Sequence, residues 1–366
     1  IGERLREHGA RPSDLVTFHV GGHFLVDCSS WHQWWRTYRR TLQKQPGSAT
    51  LMRCLASGEL VEPARTQPKV SGLADVGGLA TGDALASYKQ EAFCSYGLEQ
   101  AHNAAVSDDE AHAYRAALDD LISKHAQKLA GAKVIHWFAG RKPIDRKDDP
   151  FVMLETGLEF LDELETREQT ELQAQNRAKR LLEAVRTGTR PELHDNYYYA
   201  ATLSGSSGRV MVRDWMEGQF EQLVGNISAW FDDLTIVHRE GTRMAPSPKF
   251  MAVVGALGRE LREIPSPTIA KLWRVAVRWE PIPQQVLAQA LSRARLDFIK
   301  AEPANHARMG LLKAFHIRKG DTQMMPYLNE EHPSCAYHCG RLMAVLAAIQ
   351  YAAFGDVGAG VVQRYY

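Results

Sequence analysis

The chain has 366 residues, 45% apolar and 24% charged, with 44 Lys+Arg against 43 Asp+Glu. Those figures exclude collagen, a disordered tail and a membrane protein, and at roughly 150 residues per domain they predict two or three globular domains. The balance hides an asymmetry: residues 1–238 carry 27 Lys+Arg and 33 Asp+Glu, whereas 239–366 carry 17 and 10, an excess that suits either an anionic partner or a solvated helical surface.

No apolar run reaches the roughly 18 residues of a spanning helix, and nothing after Ile1 reads as a signal peptide. The missing initial Met and the abrupt end at Tyr365-Tyr366 read as a fragment. Five cysteines, an odd number with no secretory signal, argue against a disulfide framework and for a reducing cytoplasm.

His23 to Asp27 reads as a short strand. Trp31 to Leu42 follows as an amphipathic helix, with Trp34, Trp35 and Tyr38 at helical spacing beside Arg36, Arg39 and Arg40. Core packing is the expectation for these rings, and a stacking platform for bases is the alternative. From Ser57 to Gly82, five glycines and little periodicity predict loop or irregular β structure. Ser107 with Glu110 three residues later predicts a helix start, and Lys133 to Phe138 a buried strand.

The acidic stretch 148–171 reads as a solvated connector or exposed helix, and Leu172 to Val185 as helix. Tyr197 to Leu203 and Arg209 to Trp215, joined by Ser204-Gly205-Ser206-Ser207-Gly208, predict a hairpin, with a helix through Phe220, Leu223, Val224, Ile227, Trp230 and Phe231 behind it. Beyond Pro246, short helices broken at prolines predict a bundle. The fold class is therefore α+β: a mixed α/β amino-terminal portion with β-hairpins over 1–238, then a basic helical bundle over 239–366.

Catalytic motifs are weak. His332-x-x-Cys335-x-x-His338-Cys339 offers zinc-type ligands, and a metal-dependent nuclease is the alternative reading it supports, but helical continuation through Leu342 makes Cys335 and Cys339 ordinary face residues. His194-Asp195 lacks companion ligands. Gly77-Gly78-Leu79-Ala80-Thr81-Gly82 lacks the Lys-Ser/Thr of a phosphate loop. No catalytic set, metal or cofactor is expected. Basic residues are better placed: Lys271, Arg274 and Arg278 share one helical face, Arg293, Arg295 and Lys300 follow, then Lys313, Arg318 and Lys319, a pattern suited to phosphates. Amides and hydroxyls cluster at Ser87-Tyr88-Lys89 and from Ser95 to Asn103 on a loop, where Gln and Asn can pair with base edges.

The run Phe93-Cys94-Ser95-Tyr96-Gly97-Leu98-Glu99-Gln100-Ala101-His102-Asn103-Ala104-Ala105-Val106-Ser107 resembles the large signature subunit of the type I-C CRISPR Cascade complex. Asn196-Tyr197-Tyr198-Tyr199-Ala200 through Gly208 to Trp215, and Tyr327-Leu328-Asn329 through Cys339-Gly340-Arg341-Leu342 to Gln350-Tyr351-Ala352, agree in the same order. Thr66-Gln67-Pro68 departs from the pattern, which has a histidine-containing step there.

The resemblance implies a non-enzymatic, cytoplasmic subunit. Its partners would be the backbone, RNA-handle-binding and small subunits, crRNA, target double-stranded DNA with its displaced strand, and a helicase-nuclease, with no membrane. It would read the protospacer-adjacent motif, and the helical region would match the separate small subunit. Lys89, Gln100 and Asn103 are the motif-reading candidates, a loop bonded to its own backbone being the alternative. Lys271, Arg274, Arg278, Arg293, Lys313, Arg318 and Lys319 are the strand-backbone candidates.

Overall fold

The computed structural model describes residues 2–9, 11, 14, 16–43, 51–88, 90–94, 96–129, 131–140, 142–154, 164–300, 304–355, 360, 361 and 364. Helix α1 (Gly2–Glu7) precedes a hairpin of β1 (His19–Val20) and β2 (His23–Phe24), which pair His19 with Phe24. Gly21 and Gly22 turn it with φ of 60° and 84°, the doubly positive turn that glycine adopts most readily. Pairing stops at Phe24, and Leu25–Asp27 form a 3-10 turn instead of the expected longer strand. Helix α2 (Ser29–Gln43) follows where its periodicity predicts it. Its rings are not core, however: Trp34 and Trp35 are 52% and 44% exposed.

Irregular β structure comes next, as β3 (Met52–Arg53), β4 (Leu60–Val61), β5 (Lys69–Val70) and β6 (Asp83–Ala84). Helix α3 (Asp108–Lys124) starts at Ser107, whose hydroxyl accepts the Glu110 N–H at 3.2 Å. Three acidic residues in its first turn suit the positive end of the helix dipole. Strands β7 (Gln127–Leu129) and β8 (Ala132–Ala139) form a hairpin, then α4 (Pro150–Leu154) and α5 (Leu164–Arg186) enter the helical layer. The expectation of a solvated stretch fails at α4, where Phe151, Met153 and Leu154 are core, and at Glu171, which is buried. Charge density set that expectation, yet four of the five α4 residues are apolar and Pro150 is buried with them.

Strands β9 (Tyr197–Ser206) and β10 (Arg209–Gln219) extend the predicted hairpin in both directions, and α6 (Phe220–Leu234) follows directly. The six-stranded sheet runs β5-β6-β10-β9-β8-β7, and β6 meets β10 only through Arg209 and Ala84. Among the described residues, most of β10 therefore has no strand on its outer side. One sheet face (Ile135, Ala201, Leu203, Val210) packs on Val70, Leu73, Val76 and Ile122. The other (Val134, Tyr198, Ala200, Met216) packs on helices α4 to α6 and on α7 (Phe250–Gly255), α8 (Ser266–Arg278), α9 (Gln284–Ile299) and α10 (His306–Arg318). This cluster draws on both sides of residue 238, where the charge balance changes sign, joining Trp230 and Phe231 to Trp273 and Phe315. Helix α11 (Cys335–Phe354) buries none of its residues. Helices dominate after Pro246, in keeping with the α+β expectation.

The glycine loop has a packing reason. It crosses β9 so closely that a Cβ on Gly205 would lie 2.1 Å from Gly78 Cα, and the fully buried Asp83 carboxylate accepts the Leu79 N–H at 3.2 Å. Gly205→Ala is expected to cost about 1–3 kcal/mol by overpacking, read as a lower urea midpoint.

Candidate nucleic-acid interface

The loop from Cys94 to Val106 is built on a small apolar floor. Ala101, Ala104, Ala105 and Val106 are buried, with Val106 in a cluster with Cys54 and Ala111. Backbone bonds tie it to its neighbour segment: Leu55 N–H to Ala105 C=O at 2.8 Å, Ala64 N–H to Val106 C=O at 2.9 Å, and Ala101 N–H to Arg65 C=O at 3.2 Å. Gln67 completes the lashing. Its amide donates to Ala104 C=O at 3.0 Å and its carbonyl accepts the Tyr114 hydroxyl at 2.7 Å. Burial raises the Tyr114 pKa, which keeps that donor protonated. The sequence departure at Thr66-Gln67-Pro68 thus holds a structural tether that sequence reasoning missed, because the partners lie 37 and 47 residues away.

On this floor the backbone is strained. Tyr96 and Gln100 have φ of 57° and 48°, a region that costs a non-glycine residue on the order of 1–3 kcal/mol. Tyr96 projects fully into solvent. Gln100 and Asn103 occupy one 3-10 turn, Gln100–Ala104, and the Asn103 amide donates to Gln100 C=O at 3.1 Å. Among the described residues the buried Gln100 side-chain oxygen has no hydrogen-bond partner, a cost of about 1–3 kcal/mol. Lys89 lies outside the described residues. The structure therefore brings Gln100 and Asn103 together. The Asn103 amide bonds its own turn's backbone, the geometry of the structural alternative, and so fixes the turn that carries Gln100.

The basic candidates separate into three groups. Lys271 and Lys319 are exposed, Lys319 lying 5.8 Å from the Phe315 ring centre. Arg274 and Arg293 are partly exposed, Arg278 is exposed, and all three are paired. Arg274 donates to Asp214 at 2.5 Å and Glu280 at 3.0 Å, Arg278 donates to Glu217 C=O at 3.3 Å, and Arg293 lies 3.2 Å from Asp297. Asp214 in turn accepts the Trp215 N–H at 3.0 Å. Arg274 and Arg278 thus help close the open edge of β10, supporting the cap on one N–H and covering one C=O.

Lys313 and Arg318 are interior, which corrects their placement on a surface stripe. Lys313 donates to Asp232 C=O at 3.2 Å. Arg318 is 1% exposed in its side chain, donates to Asp233 at 2.8 Å, Val275 C=O at 2.6 Å and Glu280 C=O at 3.0 Å, and lies over Trp230 and Trp279. Burial pushes the pKa of both cations down. The sequence placed them with Lys319 among the basic residues of one helix, but α10 is packed by α6, α7 and α9, so Lys313 and Arg318 lie on its packed side.

The His/Cys set does not converge. His332 is buried against Tyr337 and lies 3.3 Å from Asp321, while the His338 ring is bonded to His332 C=O at 2.6 Å. Cys335 and Cys339 are exposed, and all five cysteines are free of disulfides. Among the described residues no group of three or more His, Cys, Asp and Glu could hold a metal ion, and none of the helices is long and apolar enough to cross a membrane. His194 and Asp195 contact each other at 3.2 Å on the surface.

The family model described as CRISPR-associated protein (Cas_Csd1) matches residues 3–366. No curated protein matches the chain.

Proposed function

We propose, since the chain belongs to the CRISPR-associated Cas_Csd1 family, that it is a non-catalytic DNA-binding subunit of a type I-C Cascade-like complex in the cytoplasm. It reads the protospacer-adjacent motif on duplex DNA, stabilises the R-loop with its displaced strand and recruits the helicase-nuclease. Backbone, RNA-handle-binding and small subunits, with crRNA, complete the assembly.

The observation that carries this reading is the Gln100 turn. A strained turn on a rigid floor carries the partly exposed Gln100 and Asn103 side by side, next to a fully exposed Tyr96. Gln amides match the edge of adenine in the major groove, and RNA-guided systems leave only a short duplex motif for protein to read. Backbone strain at Tyr96 and Gln100 is a cost that a packing loop has no need to keep. The test is a complex reconstituted with and without this subunit, on guide-matched targets that do or do not carry the motif. Motif-dependent binding only with the subunit supports the reading, and equal binding without it contradicts it.

Phosphate contacts fall to the exposed cations. Lys271→Ala with Lys319→Ala is expected to lower the log-log salt slope of duplex binding by about 0.9 per lost contact, with the urea midpoint unchanged. Arg274→Ala with Arg278→Ala is expected to lower the midpoint instead, because it uncovers the β10 edge.

A further inference from the structure

Among the described residues, helix α2 carries an aromatic face on which Trp34, Trp35 and Tyr38 are exposed. Trp31, Trp34, Trp35 and Tyr38 recur at one, three and four residues, and each ring contact recorded for them among the described residues is within the helix itself. Trp34 and Tyr38 stack at 5.0 Å with 8° between planes, and Trp31 and Trp35 at 6.1 Å with 13°. None of the four belongs to a core cluster. The helix start is fixed by bonds from the His32 ring to Val26 C=O and from the Cys28 thiol to Phe24 C=O, so the face is presented on a defined scaffold.

The chemistry of α2 selects an occupant. Its 15 residues hold Arg36, Arg39 and Arg40 and neither Asp nor Glu, and Arg36 is exposed. Positions 36, 39 and 40 form a second stripe beside the aromatic one. A polyanion that also offers flat π faces fits both stripes. Trp on one face and Arg on another also suit an anionic lipid surface, so vesicles are an arm of the test, and the DNA-binding reading of the chain favours the polynucleotide.

We propose that α2 is a stacking site for unpaired bases of the displaced DNA strand, with the bases on Trp31, Trp34, Trp35 and Tyr38 and the phosphates toward the arginine stripe. From position 31 to 38 the helix rises about 10 Å, roughly three nucleotide steps. The proposal rests on the DNA-binding reading but uses none of the motif-reading residues.

The test is binding of the full chain to fluorescein-labelled dT12, whose bases stack weakly on one another. Trp34→Ala with Trp35→Ala is expected to weaken binding about 5- to 150-fold for each lost stack, and Trp34→Phe with Trp35→Phe to restore most of it. Arg36→Ala is expected to lower the log-log salt slope by about 0.7 per lost phosphate contact. All variants should keep the wild-type melting temperature, since the altered groups are exposed. Unchanged dT12 affinity in the alanine pair overturns the proposal, as does tighter binding to rU12 or to phosphatidylglycerol vesicles than to dT12. Motif preference of the assembled complex is scored in parallel: its persistence alongside unchanged dT12 binding sinks the α2 site alone, and its absence in the wild type sinks the broader reading.

Discussion

Arg318→Ala is expected to destabilise the protein by about 3–5 kcal/mol. The substitution leaves the Asp233 carboxylate in the interior without its guanidinium, removes the donors to Val275 C=O and Glu280 C=O, and empties the space between Trp230 and Trp279. Arg318→Lys should recover part of the loss, since one ammonium cannot span the same acceptors in a planar fork. Urea unfolding followed by tryptophan fluorescence and circular dichroism reads both. DNA affinity of Arg318→Ala should fall only with its folded fraction. A folded Arg318→Ala protein with wild-type stability and weaker phosphate binding would return this residue to the surface stripe.

Gln100→Ala is expected to reduce the complex's preference for motif-bearing DNA by about 1–3 kcal/mol, roughly 5- to 150-fold. Asn103→Ala should act in the same direction and less than additively with it, because the Asn103 amide holds the carbonyl of the same turn. Gln100→Gly separates shape from contact. Glycine accepts φ near 48° without strain, so this variant keeps the loop while deleting the amide. Preference lost in both Gln100→Gly and Gln100→Ala assigns reading to the side chain. Preference kept in Gln100→Gly assigns it to loop conformation, and the base contact fails.

Local signals carried much of the fold. The Ser107 cap, the β9–β10 hairpin and the helix through Trp230 are encoded within a few residues, and each forms where spacing places it. The Gln100 turn was legible from amide composition, although its strain and its unpartnered oxygen were not. Periodicity names a face without saying what meets it. For that reason the α2 rings read as core but lie outward, while Lys313 and Arg318 read as surface but lie inward. Gln67 and the Arg274–Asp214 pair depend on chain segments 37 to 60 residues apart, a separation at which spacing has no information. The excess of basic residues after 238 suffers the same loss, since part of it is neutralised internally.

The most direct measurement is site-specific photocrosslinking. A photoreactive phenylalanine analogue replaces the fully exposed Tyr96 in the assembled, guide-loaded complex, which is then given target duplex. The account predicts crosslinks to the base pairs of the motif, lost when the motif is altered while the guide-matched sequence is kept. Crosslinks confined to neighbouring protein subunits, or to DNA irrespective of the motif, would contradict it.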